Sequence, residues 1–171
     1  MQTDSTPLLD SIEAIKELDT TGTLSSIEQI GNQMQEVWEL SKHISVPESY
    51  SKLAQSKSGM NIVVCGMGGS ILGTDIIQSL FADTLPGPIT IVPDYSLPAF
   101  VNENTLVIAA SYSGSTEETW SALQEAHSRG ALIAGVTGGG KIGDFLKEHN
   151  YPHLIFSSEF NPAGIAKMGI G

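Results

Sequence analysis

Two periodicities divide this chain. Near the N-terminus Leu8, Leu9, Ile12, Ile15 and Leu18 recur at three- and four-residue spacing, which predicts an amphipathic helix. Thr20, Thr21 and Gly22 break that pattern. Ser25-Ser26-Ile27-Glu28 then matches a capping box, and a second helix is expected to carry Ile27, Ile30, Met34, Val37 and Trp38 on one face. This helical pair, ending near Ile44, is expected to pack on a sheet or on a partner subunit. Residues 45–58, with Pro47 among them, are mostly polar and read as a connection.

From Asn61 the pattern changes. Short apolar runs at 62–65, 89–92, 106–110, 132–136 and 154–156 alternate with helical spacings. The helical positions are Ile71, Leu72, Ile76, Ile77, Leu80 and Phe81, then Trp120, Leu123 and Ala126, then a shorter stretch around Phe145 and Leu146. Such alternation predicts an α/β fold, with a parallel sheet covered by helices on both faces. Runs rich in Ile, Val and Leu suit strands buried on both sides. The expected organisation is an N-terminal helical extension, 1–58, followed by an α/β domain, 59–171. Residues 162–171 begin another helical pattern and stop, so this domain is expected to be truncated at its C-terminus.

In an open parallel sheet, ligands sit beyond the carboxyl ends of the strands. Two loops are placed there. One is Gly66-Met67-Gly68-Gly69-Ser70, after the first run. The other is Ser111-Tyr112-Ser113-Gly114-Ser115-Thr116-Glu117, after the third. Each joins a buried strand to a helix start, where backbone N–H groups lack intrahelical partners and the helix dipole favours an anion. Ser and Thr hydroxyls add donors at the same place. Thr116 alone is explained by helix capping, with Glu117 and Glu118 favoured in the first turn. Ser111 and Ser113, which precede it in the same turn, are not. Together the two junctions point to a phosphorylated ligand.

Other chemistries fit less well. The first loop does not complete G-x-G-x-x-G, because Ile71 holds its last position, and Pro93 precedes Asp94 near the second strand's end. A dinucleotide is therefore disfavoured, and no G-x-x-x-x-G-K-[ST] is present. His43, His127, His149 and His153 show no ligand spacing, and a single cysteine, Cys65, offers neither a disulfide nor a cysteine-based metal site. No metal and no cofactor are expected. Asp75, Glu117 and Glu118 lie near enough to the loops to be candidate bases, with solvated or capping roles as the competing reading. Gly138-Gly139-Gly140-Lys141 reads as a flexible turn feeding a helix.

At 171 residues, 40% hydrophobic and with 18 glycines, the chain is long enough to bury a real core. A formal charge of −11, from 19 acidic and 8 basic residues, argues against general nucleic-acid binding. An anion site would then rest on local donors, without help from the overall field. No apolar run approaches the roughly 20 residues of a membrane span. The N-terminus lacks the basic and apolar regions of a signal peptide, so a cytoplasmic location is expected.

These residues resemble the sugar isomerase (SIS) domain family. Gly66 to Ser70, Ser111 to Thr119 and Thr137-Gly138-Gly139-Gly140-Lys141 fall in the family's order and spacing, and the S-x-S-G-x-T element is the specific part. The closest subfamily is that of bifunctional phosphoglucose/phosphomannose isomerases, whose segment after the fifth strand is similar to Glu159-Phe160-Asn161-Pro162. The resemblance covers about Met60 to Gly171. It implies a three-layer αβα fold with a five-stranded, flavodoxin-like parallel sheet. It also implies that Ser111, Ser113 and Thr116 hold a phosphate, with backbone help from Tyr112 and Gly114, while Gly68, Gly69 and Ser70 face the sugar.

The implied reaction is aldose–ketose isomerisation of glucose 6-phosphate or mannose 6-phosphate to fructose 6-phosphate, through an enediolate. The subfamily usually has an Arg after the proline of the last segment, where Ala163 stands here; Lys167, one helical turn on, is its nearest substitute. The family's base, ring-opening His and catalytic Lys come from a second SIS domain or a partner subunit, and this chain carries none of those segments. Its catalytic residues therefore remain unassigned. A homodimer or pairing with a second SIS domain is implied. A non-catalytic phosphosugar-binding or regulatory module is the alternative.

Overall fold

A computed structural model describes residues 10–56, 59–85, 87–157, 159, 161, 163 and 164. Four helices come first: α1 (Ile12–Leu18), α2 (Thr23–Glu28), α3 (Ile30–Ser41) and α4 (Glu48–Ala54). Strands and helices then alternate as β1 (Asn61–Gly66), α5 (Leu72–Leu80), β2 (Ile89–Val92), β3 (Thr105–Ser111), α6 (Glu117–Ser128), β4 (Leu132–Thr137), α7 (Gly140–Glu148) and β5 (His153–Ile155). The five strands are all parallel, in the order β2-β1-β3-β4-β5. This is the α/β sheet expected from the alternation of apolar runs. Among the described residues no helix is long and apolar enough to cross a membrane.

The two faces of the sheet are packed differently. Val63, Cys65, Val107, Ala109 and Ile133 point to one face and meet Ala122, Leu123 and Ala126 of α6 and Ile142 and Leu146 of α7, all fully or almost fully buried. Full burial of each large aliphatic side chain contributes about 1.5–3 kcal/mol. Gly135 lets α7 approach closely, since a Cβ there would lie 2.3 Å from a Leu146 methyl. The opposite face carries Ile62, Val64 and Ala110, with Leu106, Ile108, Ala134 and Val136 only half-buried. α4 and α5 flank this face without closing over it. An apolar trough remains along β1, β3 and β4 in two joined compartments of about 380 and 390 Å³ that share Ile108 and Val136.

The N-terminal helices depart from the sequence reading in three ways. The capping box does not form: α2 begins at Thr23, and the Asp19 carboxylate accepts the N–H groups of Thr23 and Leu24, each at 2.8 Å. A carboxylate is a strong acceptor for first-turn donors, and it draws the helix start ahead of Ser25. The apolar face is not the buried one. Ile27, Ile30, Met34 and Trp38 are exposed, whereas Ser26 and Gln33 are buried. These polar residues bond backbone: Gln33 Nε2 donates to the Ser26 carbonyl, and Ser26 Oγ accepts from Ala163 N, each at 3.0 Å. The supposed polar connection at 45–58 contains α4, whose Tyr50 hydroxyl donates to the Ile133 carbonyl at 2.6 Å. Leu8 and Leu9 lie outside the described residues.

No helix covers the connection between β2 and β3, residues 93–104. Two side chains of α6 hold it instead. Arg129 donates to the carbonyls of Pro98 (2.7 Å) and Leu97 (3.3 Å) and pairs with Glu125 at 2.7 Å, while Glu125 accepts the Leu97 N–H at 2.6 Å. The sheet ends in short strands. β2 has four residues between Pro88 and Pro93, and β5 has three.

Candidate functional site

The two Gly/Ser loops meet at the carboxyl edge of the sheet. Gly66 ends β1 against β3, where a Cβ would sit 2.7 Å from the Ala110 carbonyl. The chain then makes a 3-10 turn over Gly68–Ile71, with Gly68 exposed at φ 55 and Gly69 buried. Ser70 is committed to structure: its Oγ accepts the Tyr112 N–H at 3.1 Å and ties this turn to the loop after β3.

The second loop is built around hydroxyls. Ser111 ends β3, is buried, and its Oγ lies 2.9 Å from Thr116 Oγ1. Ser113 Oγ is 3.5 Å from the same oxygen and accepts the Ser115 N–H at 3.2 Å. Gly114 N donates to Ser111 Oγ at 3.1 Å. Gly114 has φ 68, and a Cβ there would lie 1.8 Å from the Gly139 carbonyl. Only glycine lets the loop after β4 nest against this one. That nesting is bonded: Gly138 N donates to the Tyr112 carbonyl (3.1 Å) and Ile142 N to the Gly114 carbonyl (3.0 Å).

Thr116 occupies the N-cap position of α6, yet among the described residues no side chain caps this helix. The capping explanation for Thr116 is therefore replaced. Its hydroxyl turns to Ser111 and Ser113, and the first-turn N–H groups of a 12-residue helix face the loop without a side-chain acceptor. Three hydroxyls and a helix N-terminus at one point form a donor cluster suited to a tetrahedral oxyanion.

Carboxylates stand at the start of α6. Glu117 and Glu118 occupy the first turn of α6, and Tyr95, from the β2–β3 connection, stands beside them. Its phenol is held above its ordinary range first by the charge of Glu118, then by burial and by Glu117 and Asp94. Asp75 is exposed on the first turn of α5. Lys141 extends over the Trp120 ring, 5.4 Å from its centroid.

Two contributors were not singled out from sequence as site residues. Asn161 is buried and its Nδ2 donates to the Tyr112 hydroxyl at 3.0 Å, bringing the segment after β5 to the loop. Burial pushes the Tyr112 phenol up, and the Asn161 bond opposes that shift. Thr137 Oγ1 both donates to the Gly139 carbonyl and accepts its N–H, shaping the third loop. A buried polar residue at a strand end was the available signal for Thr137. Phe160, Pro162 and Lys167 lie outside the described residues. His127, His149 and Tyr151 cluster at the C-terminal ends of α6 and α7, away from the loops, with His127 Nδ1 2.6 Å from the Tyr151 hydroxyl. Among the described residues no three metal-ligating side chains gather.

No family model matches the chain. It is similar to the bifunctional phosphoglucose/phosphomannose isomerase of Caldicellulosiruptor bescii, at 36% identity over 137 residues, which is 80% of this chain and 39% of that protein. The chain thus spans about two fifths of this relative's length. Among solved structures, a phosphoheptose isomerase from Francisella tularensis superposes with a TM-score of 0.53 at 19% identity, covering 92% of each chain. The Vibrio vulnificus NanR protein complexed with ManNAc-6P gives 0.55 at 20% identity, over 92% of this chain and 61% of that one. Likeness at that identity concerns the fold.

Proposed function

We propose that this chain, similar at 36% identity to a bifunctional phosphoglucose/phosphomannose isomerase, is the phosphosugar-binding part of an aldose–ketose isomerase of that type, built on a sugar isomerase (SIS) domain. The observation that carries this reading is the turn of the Thr116 hydroxyl away from its own helix and toward Ser111 and Ser113. A phosphate held by these hydroxyls and the first-turn N–H groups gains charge-assisted hydrogen bonds. Gly68 leaves the backbone bare where the sugar would extend, Gly69 is buried beneath that turn, and Ser70 fixes the distance between the loops.

In this reading the chain's residues bind and orient, and the reaction moves a proton between C1 and C2 of the open-chain sugar through an enediolate. That step needs a base in reach of the C–H and charge stabilisation for the intermediate. Asp75 and Glu117 are open to solvent, and this reading leaves the water-excluding pocket around the base to a second domain or a partner subunit. The phosphate anchors the substrate, and remote binding of this kind converts into orientation at the reacting carbons.

The test is thermal unfolding with fructose 6-phosphate, with inorganic phosphate and unphosphorylated fructose as controls. A ligand at about 100 times its dissociation constant stabilises by about 2.7 kcal/mol. The expected result is a clear rise with the phosphosugar, a small one with either control, and loss of the rise when Ser111 and Ser113 are both changed to Ala. Unchanged affinity in that double variant overturns the assignment.

A second reading, a non-catalytic phosphosugar-binding module, draws on one observation. Ala163, where the subfamily usually carries Arg, supplies only a backbone N–H, and that is bonded to Ser26. A protein of the relatives' length that binds fructose 6-phosphate without isomerising it supports this reading; turnover supports the first.

A further inference from the structure

Lys141 stands where helix physics gives a cation no reason to be. It is the second residue of α7, and positive charge at a helix N-terminus is opposed by the dipole. None of the salt bridges among the described residues includes it, although the chain carries 19 acidic residues against 8 basic ones. Its ammonium rests instead on the Trp120 ring, 5.4 Å from the centroid. That ring is held edge-on to Phe145, at 5.4 Å and 88°. It lies one turn of α6 beyond Thr116, whose carbonyl accepts the Trp120 N–H at 3.0 Å.

The backbone on either side of Lys141 touches the hydroxyl loop. A Cβ on Gly140 would lie 2.6 Å from the Gly114 carbonyl and 2.8 Å from Ser115 Oγ. Ile142 N donates to the same Gly114 carbonyl at 3.0 Å. The lysine side chain therefore starts beside the cradle and lies along the first turns of α6. Arg129 and Lys147, the other described cations at these two helices, sit at their far ends.

We propose that Lys141 is a movable cation of the cradle, an inference that rests on the reading of Ser111, Ser113 and Thr116 as a phosphate site. When the ligand's phosphate settles on those hydroxyls, the ammonium leaves the Trp120 ring and binds it. An exposed cation–π contact is weak, whereas lysine on phosphate forms a charge-assisted hydrogen bond. The flexible four-carbon stem makes the move by changing rotamers, with the backbone in place. The ring keeps the ammonium out of an ion pair with Glu117 or Glu118 until ligand arrives, so no carboxylate has to be displaced. Once moved, Lys141 sets a positive charge against those two carboxylates. It thereby selects phosphorylated over unphosphorylated sugars.

Trp38 and Trp120 are the two tryptophans of the chain, so in a Trp38→Phe background the emission reports on Trp120 alone. Fructose 6-phosphate should shift that emission saturably, and unphosphorylated fructose should not. In Lys141→Met the shift should vanish and the affinity, read by titration calorimetry, should fall about tenfold, as for one lost hydrogen bond to a charged group. Lys141→Arg should keep most of the affinity. The unfolding midpoint of Lys141→Met without ligand should hold or rise, since a cation is removed from a helix N-terminus. Unchanged affinity in Lys141→Met, or an emission shift that survives it, overturns the proposal. A midpoint lowered along with the affinity makes Lys141 a packing residue and overturns it too. The cradle is judged separately. Affinity lost when Ser111 and Ser113 are both changed to Ala but kept in Lys141→Met removes the lysine alone, whereas a parent that binds no fructose 6-phosphate removes the phosphosugar reading and this proposal together.

Discussion

Gly114 shows how little freedom the cradle has. Its φ of 68 and the 1.8 Å that would separate a Cβ from the Gly139 carbonyl are two independent obstacles to any other residue. Gly114→Ala is therefore expected to destabilise the fold by about 2–3 kcal/mol, from a disfavoured dihedral plus a forced backbone shift, and to abolish phosphosugar binding. Urea unfolding and calorimetry on the same variant check both. Cys65 gives a second prediction at this scale. Burial pushes its thiol up to about 12. The unfolded thiol loses its proton near pH 9 and the native one does not, so the unfolded state binds fewer protons between those values and stability falls as pH rises through that window. Below about pH 9 the thiol is protonated in both states and contributes no slope. At pH 8 a thiol reagent should modify Cys65 only at the rate of unfolding.

At the scale of elements, the β2–β3 connection depends on α6. Arg129→Ala removes bonds to the carbonyls of Pro98, Leu97 and Val101 and to Glu125, and is expected to cost about 1.5–3 kcal/mol, since hydrogen bonds to charged groups are the stronger kind. Thermal unfolding measures it, and protease cleavage within 93–104 should accelerate. Glu125 is held below its ordinary range chiefly by the Leu97 N–H and further by Arg129. Its contribution to stability is present above the ordinary carboxylate range and is lost as pH falls through the depressed value, so the stability difference between Glu125→Gln and the parent should shrink in acid. The strands and the helices α6 and α7 were legible in the sequence, because their apolar periods are set by burial against a sheet; α5 was legible by its period alone, since Leu72, Ile76, Ile77, Leu80 and Phe81 are exposed and Thr74 is its buried residue. The first helices were not. Ser26 and Gln33 are buried through hydrogen bonds to backbone, which leaves no hydrophobic period to read, and the conspicuous stripe from Ile27 to Trp38 faces solvent. α4 was hidden for a related reason: it is short, and a tyrosine hydroxyl together with only Leu53 and Ala54 holds it to the sheet. In the site, the hydroxyl positions Ser111, Ser113 and Thr116 were readable from their crowding in one turn. Asn161 was not, because its partner Tyr112 is 49 positions away.

For the whole molecule, the proposed anion site sits in a protein of charge −11, with Glu117, Glu118 and Asp94 nearby. The overall field opposes a phosphorylated ligand, and the local donors act against it. Salt should then help at first. Raising ionic strength from about 0.01 M to about 0.15 M shortens the screening length from about 30 Å to about 8 Å, and the affinity for fructose 6-phosphate is expected to rise a few-fold. A basic phosphate-binding protein would show the reverse. Titration calorimetry at the two salt concentrations decides the sign.

The two ends of the sheet carry a further consequence. An edge strand with free N–H and C=O groups is a template on which another chain can add, and long, flat, apolar edges invite fibrous aggregation. Here one border strand is four residues long and bracketed by Pro88 and Pro93, and the other is only three. Proline has no N–H to offer an incoming strand. Crowding or partial heating should therefore yield amorphous precipitate rather than fibrils, because the borders of the sheet leave almost no backbone on which cross-β growth could begin.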